Sequence, residues 1–239
     1  MKPMLAVENL CLNLSGREIF HIERLALPKG QVTALVGPNG SGKSSLLLTL
    51  ALLQPATSGT IYFDGAVING GSPLGIRRRM ALVFQEALLL DTTVHRNLTI
   101  PLRIRGVAYA EAAVKAERWL NRFEIGHLAR RKARQLSGGE AQRASLARAF
   151  AMEPEVLFLD EPFTALDYPT RKALLNDLGQ LLKDMNITTL FVTHDYAEIP
   201  FLASEVAVLN GGRIVKYGTV REILGVEVLQ RGIWAPWET

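Results

Sequence analysis

The sequence contains a single cysteine, Cys11, and no apolar run that suits a membrane-spanning helix. One cysteine excludes an internal disulfide and argues against a metal cluster held by several thiolates. The apolar run that begins at Leu46 is far short of the roughly 18 residues that a transmembrane helix needs. Near the N-terminus, Glu8 interrupts the apolar residues where a signal peptide would need a continuous core. We therefore expect a cytoplasmic protein that acts at a membrane only through a partner.

The chain also lacks a strong excess of either charge. Its 239 residues include 27 Lys and Arg against 23 Asp and Glu, a formal net charge of +4. This excess is too weak to indicate nucleic acid binding. The basic runs 77–79 and 130–132 lack interleaved aromatic residues, so we interpret them as solvated helix faces and expect no nucleic acid partner. With 48% hydrophobic and 21% charged residues, the composition is that of a globular protein with a full core.

What the sequence does contain is a glycine-rich loop that fits the phosphate-binding pattern G-x-x-x-x-G-K-[ST]. The apolar run 31–36 before it predicts a buried strand, and the apolar run 45–53 after it predicts a helix. Glycines let backbone N–H groups turn around a phosphate, and a helix N-terminus adds its positive dipole end. The predicted ATP-binding residues are Gly37, Pro38, Asn39, Gly40, Ser41, Gly42, Lys43, Ser44 and Ser45.

Within this loop, two side chains have a predicted chemistry of their own. We expect Lys43 to reach the β- and γ-phosphates of a nucleotide, and the Ser44 hydroxyl to bind Mg²⁺. A chance glycine turn before a core helix is the alternative, and the strand and helix patterns on either side disfavour it.

Strand and helix patterns alternate on both sides of a mostly helical stretch, 86–152. Within that stretch, residues 109–123 place Ala113, Ala116 and Leu120 at helical spacing. This arrangement predicts an α/β fold: a mostly parallel sheet with helices on both faces, an antiparallel β part at the N-terminus, and an inserted α-helical subdomain. Strands are expected at 5–14, 19–27, 31–36, 60–63, 80–84, 156–160, 188–193, 205–210 and 213–217.

Two adjacent carboxylates, Asp160 and Glu161, close an apolar strand pattern. In ATPases with a phosphate loop, an acidic residue at such a strand end holds Mg²⁺ through its coordination shell. Because neighbouring side chains on a strand point to opposite faces, the two carboxylates are expected to have different roles. One would serve the metal, and the other would orient the attacking water or accept its proton.

A third motif, Ser137-Gly138-Gly139-Glu140, stands at the start of a predicted helix. There a serine hydroxyl and the N–H groups of two glycines can be offered to a γ-phosphate. Glycine within the first turns destabilises a helix by roughly 1 kcal/mol relative to alanine. Close approach of the backbone to a ligand would explain why two glycines stand here.

In their order and spacing, these three motifs resemble those of ABC-type ATPases, and the resemblance covers nearly the whole chain. It implies one ABC ATPase domain, 1–239. Residues 1–85 and 155–239 would form the nucleotide-binding core, and residues 86–154 would form the inserted helical subdomain that carries the third motif, the family's signature. The cofactors implied are ATP and Mg²⁺.

The resemblance also implies roles for single residues. Glu161 matches the catalytic carboxylate, His194 the switch histidine that touches the γ-phosphate, and Gln85 the glutamine that senses Mg²⁺ and the γ-phosphate. The implied metal-binding residues are Ser44, Gln85 and Asp160. Asp167 matches a contact between two copies, in which the loop 37–44 of one copy faces the signature motif of the other with ATP between them.

Two positions depart from the family pattern. Leu14 stands where an aromatic residue usually stacks on adenine, so the contact with the base is expected to be apolar or weak. Glu140 replaces a commoner glutamine, and we expect its carboxylate to point away from the polyphosphate or to form a salt bridge. Trp234 and Trp237 have no assigned role, and we expect them to dock on the core or on a partner.

Residues 84–98 are similar to the ATPase subunits of oxyanion importers, particularly those for tungstate and molybdate. The implied partners are a second copy, an integral membrane permease and an extracytoplasmic substrate-binding protein, with the chain at the cytoplasmic face of the cell membrane. In such importers the segment 86–94 lines the groove for a helix of the membrane subunit. Leu88, Leu89 and Leu90 would equally suit the core of the helical subdomain. The alternative function is that of a soluble ABC ATPase, for example of the cluster-assembly type.

Overall fold

The structure, a computed structural model, describes residues 2–68 and 74–231. Its strands are β1 Pro3–Leu14, β2 Arg17–Pro28, β3 Val32–Val36, β4 Ser58–Phe63, β5 Ala66–Val67, β6 Met80–Val83, β7 Val156–Asp160, β8 Thr188–Val192, β9 Glu205–Asn210 and β10 Arg213–Thr219. Its helices are α1 Lys43–Leu50, α2 Leu74–Arg77, α3 Val94–Ile104, α4 Tyr109–Arg122, α5 Gly138–Ala151, α6 Tyr168–Asp184, α7 Ile199–Leu202 and α8 Val220–Arg231.

The larger sheet has the strand order β10-β9-β3-β8-β7-β6. The strands from β9 to β6 run parallel, and β10 is an antiparallel edge strand paired with β9. At its centre, β3 and β8 are buried at every residue, which explains their uninterrupted apolar patterns. Because the carboxyl ends of parallel strands meet at one edge, the segments after β3, β6, β7 and β8 converge there.

The smaller sheet is antiparallel, with the strand order β2-β1-β4-β5. One hydrophobic cluster joins the two sheets. It contains Leu10 and Phe20 from the smaller sheet, Leu46 from α1, and Phe158 and Leu190 from the larger sheet. Because α1 packs between two sheets, it is apolar on most sides, and its sequence lacks the periodicity of a surface helix.

The helical region between β6 and β7 packs around aromatic side chains. Trp119 of α4 lies 5.3 Å from the ring of Phe150 on α5, and Phe123 lies 5.5 Å from the same ring. The buried residues of α4 are Ala112, Ala116, Trp119 and Leu120. The sequence pattern placed Ala113 on this face, but Ala112 and Trp119 are buried instead. Helix α5 thereby connects the helical region to the larger sheet.

One local prediction differs from the structure. Helix α1 ends at Leu50 rather than at residue 53, since Leu52 has a positive φ of 59° that is incompatible with a helix. Helix α3 lies within the stretch predicted to be mostly helical, and its buried residues Val94, Leu98 and Leu102 keep helical spacing although Pro101 lies inside it. Residues 69–73, Trp234 and Trp237 lie outside the described residues. None of the helices in residues 2–68 and 74–231 is both long and apolar enough to span a membrane.

Candidate functional site

The phosphate-loop motif forms a tight turn between β3 and α1 that only glycine can follow at several points. Gly40 and Gly42 have φ values of 78° and 99°, in the left-handed region. At Gly37, a Cβ atom would overlap the carbonyl oxygen of Leu209 in the adjacent strand β9. The glycines that the motif requires are therefore also those that this backbone requires.

The Lys43 side chain folds back into this loop. Its Nζ donates hydrogen bonds to the carbonyl oxygens of Gly37, at 2.9 Å, and of Pro38, at 3.0 Å. The side chain is 7% exposed, and burial lowers the pKa of Lys43, while the carboxylates of Glu161 and Asp160 act in the opposite direction. A buried ammonium group whose hydrogen-bond acceptors are neutral carbonyls suits an anionic ligand such as a polyphosphate.

The two side chains predicted to hold Mg²⁺ from neighbouring elements lie close to each other. Asp160 ends β7, and Ser44 lies in the first turn of α1. Burial raises the pKa of Asp160, and the nearby Ser44 hydroxyl opposes that shift. A hydroxyl and a carboxylate oxygen are the hard ligands that Mg²⁺ prefers, so this pair fits the metal. Gln85 follows β6, the strand next to β7, and is exposed.

Glu161 lies beyond the end of β7, not on it. Its φ is 45°, and its N–H donates to the carbonyl oxygen of Val192 at the end of β8, at 2.9 Å. The alternation of side chains on a strand therefore does not explain why Glu161 and Asp160 differ, and that part of the sequence argument was wrong. The left-handed backbone at Glu161 redirects its side chain away from the strand.

This turn brings Glu161 to the predicted switch histidine. His194 Nδ1 and Glu161 Oε2 are 2.9 Å apart, and the side chains are 59% and 16% exposed. A carboxylate within hydrogen-bond distance of an imidazole can orient the ring and share a proton with it. The sequence motifs alone gave no sign that these two side chains are in contact.

The signature motif forms a capping box at the start of α5. Ser137 Oγ accepts a hydrogen bond from the Glu140 N–H at 3.3 Å, and Glu140 Oε2 accepts one from the Ser137 N–H at 2.7 Å. The hydrogen bond from the Ser137 N–H lowers the pKa of Glu140, whose carboxylate also forms a salt bridge with Arg131 at 3.5 Å. Glu140 thus adopts one of the two arrangements that the sequence led us to expect.

Only one glycine of the motif is in a tight environment within the chain. A Cβ atom at Gly139 would lie 3.0 Å from Leu166 Cδ2, whereas one at Gly138 would lie 3.5 Å from the Cβ of Ala165, an ordinary packing distance. The chain's own packing therefore does not explain Gly138. Asp167 itself is exposed and caps α6, because its Oδ1 accepts the Thr170 N–H at 2.9 Å.

The leucines after Gln85 divide between surface and core. Leu88 is 55% exposed and Leu90 is 46% exposed, while Leu89 packs against the core. The core interpretation was therefore wrong for Leu88 and Leu90. Asn97 on α3 was not predicted to have a role. Its fully buried side chain hydrogen-bonds to both the N–H and the carbonyl oxygen of Leu90 and so holds this segment in place.

Further apolar side chains are exposed at the end of α3 and at the start of α4. Ile104 is 71% exposed and Tyr109 is 70% exposed. Both line a groove of about 620 Å³ with side chains of His95, Arg96, Thr99, Ile100 and Arg103. Exposed apolar clusters of this kind mark contacts with partner molecules.

Leu14, the residue predicted to lie near the adenine base, is the last residue of β1 and is 42% exposed.

Comparisons with known proteins agree on one family. The family model described as "ABC transporter" matches residues 21–164. The chain is 42% identical to the sulfate/thiosulfate import ATP-binding protein CysA of Caulobacter vibrioides, over 83% of this chain and 60% of that protein. It is 36% identical to the sn-glycerol-3-phosphate import ATP-binding protein UgpC of Ralstonia nicotianae, over 92% of this chain and 60% of that protein. The chain spans about 60% of the length of these relatives.

Solved structures share the fold. One is cbiO1 from Clostridium perfringens, part of the ABC transporter complex cbiONQ, with a TM-score of 0.87 and 28% identity over 97% of this chain and 94% of that one. Another is the dimeric ATP-binding cassette MJ0796 bound to ADP and Pi, with a TM-score of 0.83 and 29% identity over 91% of this chain and 99% of that one. The predicted α/β fold, with a phosphate loop, a parallel sheet and an N-terminal antiparallel sheet, is thereby confirmed. The chain belongs to the ABC transporter family.

Proposed function

We propose that this chain is the ATP-binding and ATP-hydrolysing subunit of an importer, and that it powers uptake through a separate membrane permease. The observation that carries the proposal is the convergence of four segments at one edge of the sheet. There the buried Lys43, the neighbouring side chains of Ser44 and Asp160, and the pair Glu161 and His194 meet. The relatives described above are named as import ATP-binding proteins, which supports this interpretation.

In this proposal each group has a distinct task. The backbone and side chains of residues 37–45 hold the nucleotide phosphates, and the Lys43 ammonium neutralises part of their charge. Ser44, Asp160 and Gln85 would hold Mg²⁺, which when bound would neutralise negative charge on the phosphates. Glu161 orients the attacking water or accepts its proton, and His194 contacts the γ-phosphate.

A second copy of the chain would complete the site. Ser137, Gly138 and Gly139 lie at the start of a helix, where N–H groups and a dipole favour an anion. The Ser137 oxygen accepts from Glu140, so its own hydrogen can still be donated to a phosphate oxygen. One related structure is dimeric with ADP and Pi bound. We propose that the signature motif serves the partner's nucleotide and that Asp167 lies at the contact between copies.

The transported substrate is proposed to be an oxyanion, such as tungstate, molybdate or a similar ion. The relatives named for sulfate, thiosulfate and sn-glycerol-3-phosphate support this class, because each of those solutes carries a tetrahedral sulfur or phosphorus oxyanion group. A permease would dock on the exposed side chains of Leu88 and Leu90 and on the groove lined by Ile104 and Tyr109. The chain would then sit at the cytoplasmic face of the membrane, with an extracytoplasmic binding protein on the other side. The domain division at residues 85 and 155 stays a prediction.

Phosphate release from Mg-ATP tests the catalytic part of the proposal. Glu161→Gln is expected to lower kcat by about 10²- to 10⁴-fold, the range for loss of a general base, while leaving ATP binding intact. Glu117→Gln, on the exposed face of α4, is the control and is expected to keep the wild-type rate. Failure of the wild-type chain to bind or hydrolyse ATP, alone or with its permease, would overturn the proposal. A wild-type rate in Glu161→Gln would remove Glu161 from its role.

Co-purification from solubilised membranes tests the partner. Leu88→Asp combined with Ile104→Asp places one charge at the exposed leucines and one in the groove, and it is expected to abolish recovery of a permease with the tagged chain. Val215→Asp, at a 50% exposed apolar position on β10, is the matched control and is expected to retain it. Absence of any permease with the wild-type chain would favour a soluble ABC ATPase instead.

A further inference from the structure

A cluster of buried and half-buried polar side chains includes the residues on either side of His194 and has no part in the mechanism above. Its members come from α6 and from the segment between β8 and α7. Glu198, which is 5% exposed, accepts a hydrogen bond from Thr193 Oγ1 at 2.6 Å. We call this group the support cluster, and its members are Arg171, Thr193, Asp195 and Glu198.

Arg171 connects two loops that are far apart in sequence. Its Nη1 lies 3.0 Å from Asp195 Oδ2 and 3.8 Å from Glu198 Oε1. Its Nη2 donates to the carbonyl oxygen of Leu166 at 3.2 Å. Asp195 directly follows His194, and Leu166 directly precedes Asp167. One guanidinium group therefore holds the residue next to the switch histidine and the residue next to the predicted contact between copies.

The loop that carries His194 is fixed on both sides of that residue. Before it, Thr193 is bonded to Glu198. After it, Asp195 is bonded to Arg171, and its N–H donates to Thr193 Oγ1 at 3.0 Å. The His194 side chain is 59% exposed, so much of its ring surface is not packed against other side chains. The position of the ring relative to Glu161 depends on the backbone that this cluster holds.

Glu198 is an unfavourable choice for stability alone. A carboxylate buried to this degree loses hydration, and this burial raises the pKa of Glu198 to about 7. A buried ion pair is often no more stabilising than apolar residues of similar volume. Stability therefore does not explain a carboxylate at this position, whereas its contacts with Thr193 and Arg171 are contacts that only a charged or polar side chain makes.

We propose that the support cluster is a positioning device in which Arg171 and Glu198 set the position of His194 and couple it to the segment that carries Asp167. The inference rests on the proposed function, because it assigns the cluster to the same hydrolytic site. When a second copy moves the Asp167 segment, the Leu166 carbonyl moves with it and pulls on Arg171. Since Arg171 also holds Asp195, the shift reaches the loop of His194. Docking of the second copy and placement of the switch histidine then occur together.

Steady-state kinetics of the full chain with Mg-ATP test this proposal. Arg171→Gln is expected to lower kcat about 10-fold or more, as misplacement of a reacting group does, with KM and ATP binding changed less than about threefold. Arg171→Lys keeps the charge but cannot hold two partners with a planar fork, so it is expected to recover only part of kcat. Lys172→Gln removes one positive charge from the next, exposed residue of α6 and is expected to match wild type.

A double-mutant cycle with His194 separates positioning from a general structural effect. If Arg171 acts through His194, adding Arg171→Gln to His194→Ala is expected to lower kcat by less than about twofold. Equal losses in both backgrounds would overturn the proposal, as would wild-type kcat in Arg171→Gln. If circular dichroism shows that Arg171→Gln does not fold, Glu198→Gln replaces it in the same cycle. A loss of kcat that nearly disappears in the His194→Ala background supports the proposal, and equal losses in both backgrounds overturn it. If the wild-type chain shows no ATPase activity, the proposed function fails first, and that result is distinct from these.

Discussion

Replacing Glu198 by glutamine is expected to make the protein more stable at pH 8 than at pH 5, relative to wild type. Glutamine has the shape of the protonated carboxyl group and carries no charge. In the folded protein, burial and the neighbouring Asp195 raise the pKa of Glu198 to about 7 from its usual 4.5, although Thr193, Arg171 and His194 favour the ionised form. The folded state therefore holds this proton more tightly than the unfolded chain does.

The direction and size of the effect follow from that difference. Below pH 4.5 the side chain is protonated in both states, and its contribution to folding is fully present. As the pH rises to 7, the unfolded chain loses the proton first, and the folded state is destabilised progressively. The difference between 4.5 and about 7 corresponds to about 3 kcal/mol at pH 8. For a chain of this size, that is a change in Tm of about 6 to 12 °C.

Urea denaturation of wild type and Glu198→Gln at pH 5, 6, 7 and 8 measures the difference directly. The stability of the variant relative to wild type is expected to increase over this range and to level off above pH 7. Glu117→Gln, which changes an exposed carboxylate, is the control, and its difference from wild type is expected to change little. A Glu198→Gln variant that is less stable than wild type at pH 8, or a difference independent of pH, would refute the reasoning.

Three further predictions concern the nucleotide site. Gly37→Ala is expected to abolish ATP binding and to lower Tm, because its Cβ would overlap the backbone of Leu209. Nucleotide-dependent fluorescence and a thermal melt would check this, and a variant with wild-type binding would contradict it. Leu14→Tyr is expected to tighten ATP binding about 5-fold or more by stacking on adenine, as competition titration would show, whereas equal affinity would place the base elsewhere. Glu140→Gln preserves the capping box and loses only the exposed salt bridge with Arg131, so ATPase rate and Tm are expected to stay near wild type, and a large loss in either would show that the carboxylate matters.

Most of the parallel sheet and the phosphate loop could be predicted from the sequence because their determinants are local. The run 31–36 and the glycines after it specify a buried strand and a tight turn within a few residues. Ser137 likewise specifies a helix start through its own hydrogen bond. Pro101 inside α3 is a local signal against a helix, and packing of Val94, Leu98 and Leu102 outweighs the loss of one backbone hydrogen bond there.

The contacts that join the site across the sheet could not be predicted in this way. Glu161 meets His194 because β7 and β8 are neighbours and because Glu161 adopts a left-handed backbone, neither of which the sequence pattern reveals. Arg171 looks like an ordinary surface residue of an amphipathic helix until the fold places Leu166 and Asp195 beside it. Only the resemblance to a known family pointed to His194 and Asp167, and it said nothing of the residues that hold them.

At Glu161, the residue type that would stabilise the left-handed backbone differs from the residue type that the proposed chemistry needs. A side chain other than glycine costs roughly 1 to 2 kcal/mol in this conformation. Glycine would relieve that strain, so the residue with the lowest backbone strain at position 161 is one that lacks the proposed reactive carboxylate. Selection for thermal robustness alone would therefore drive the chain towards an inert nucleotide clamp, and any laboratory evolution of this cassette needs turnover as a second criterion.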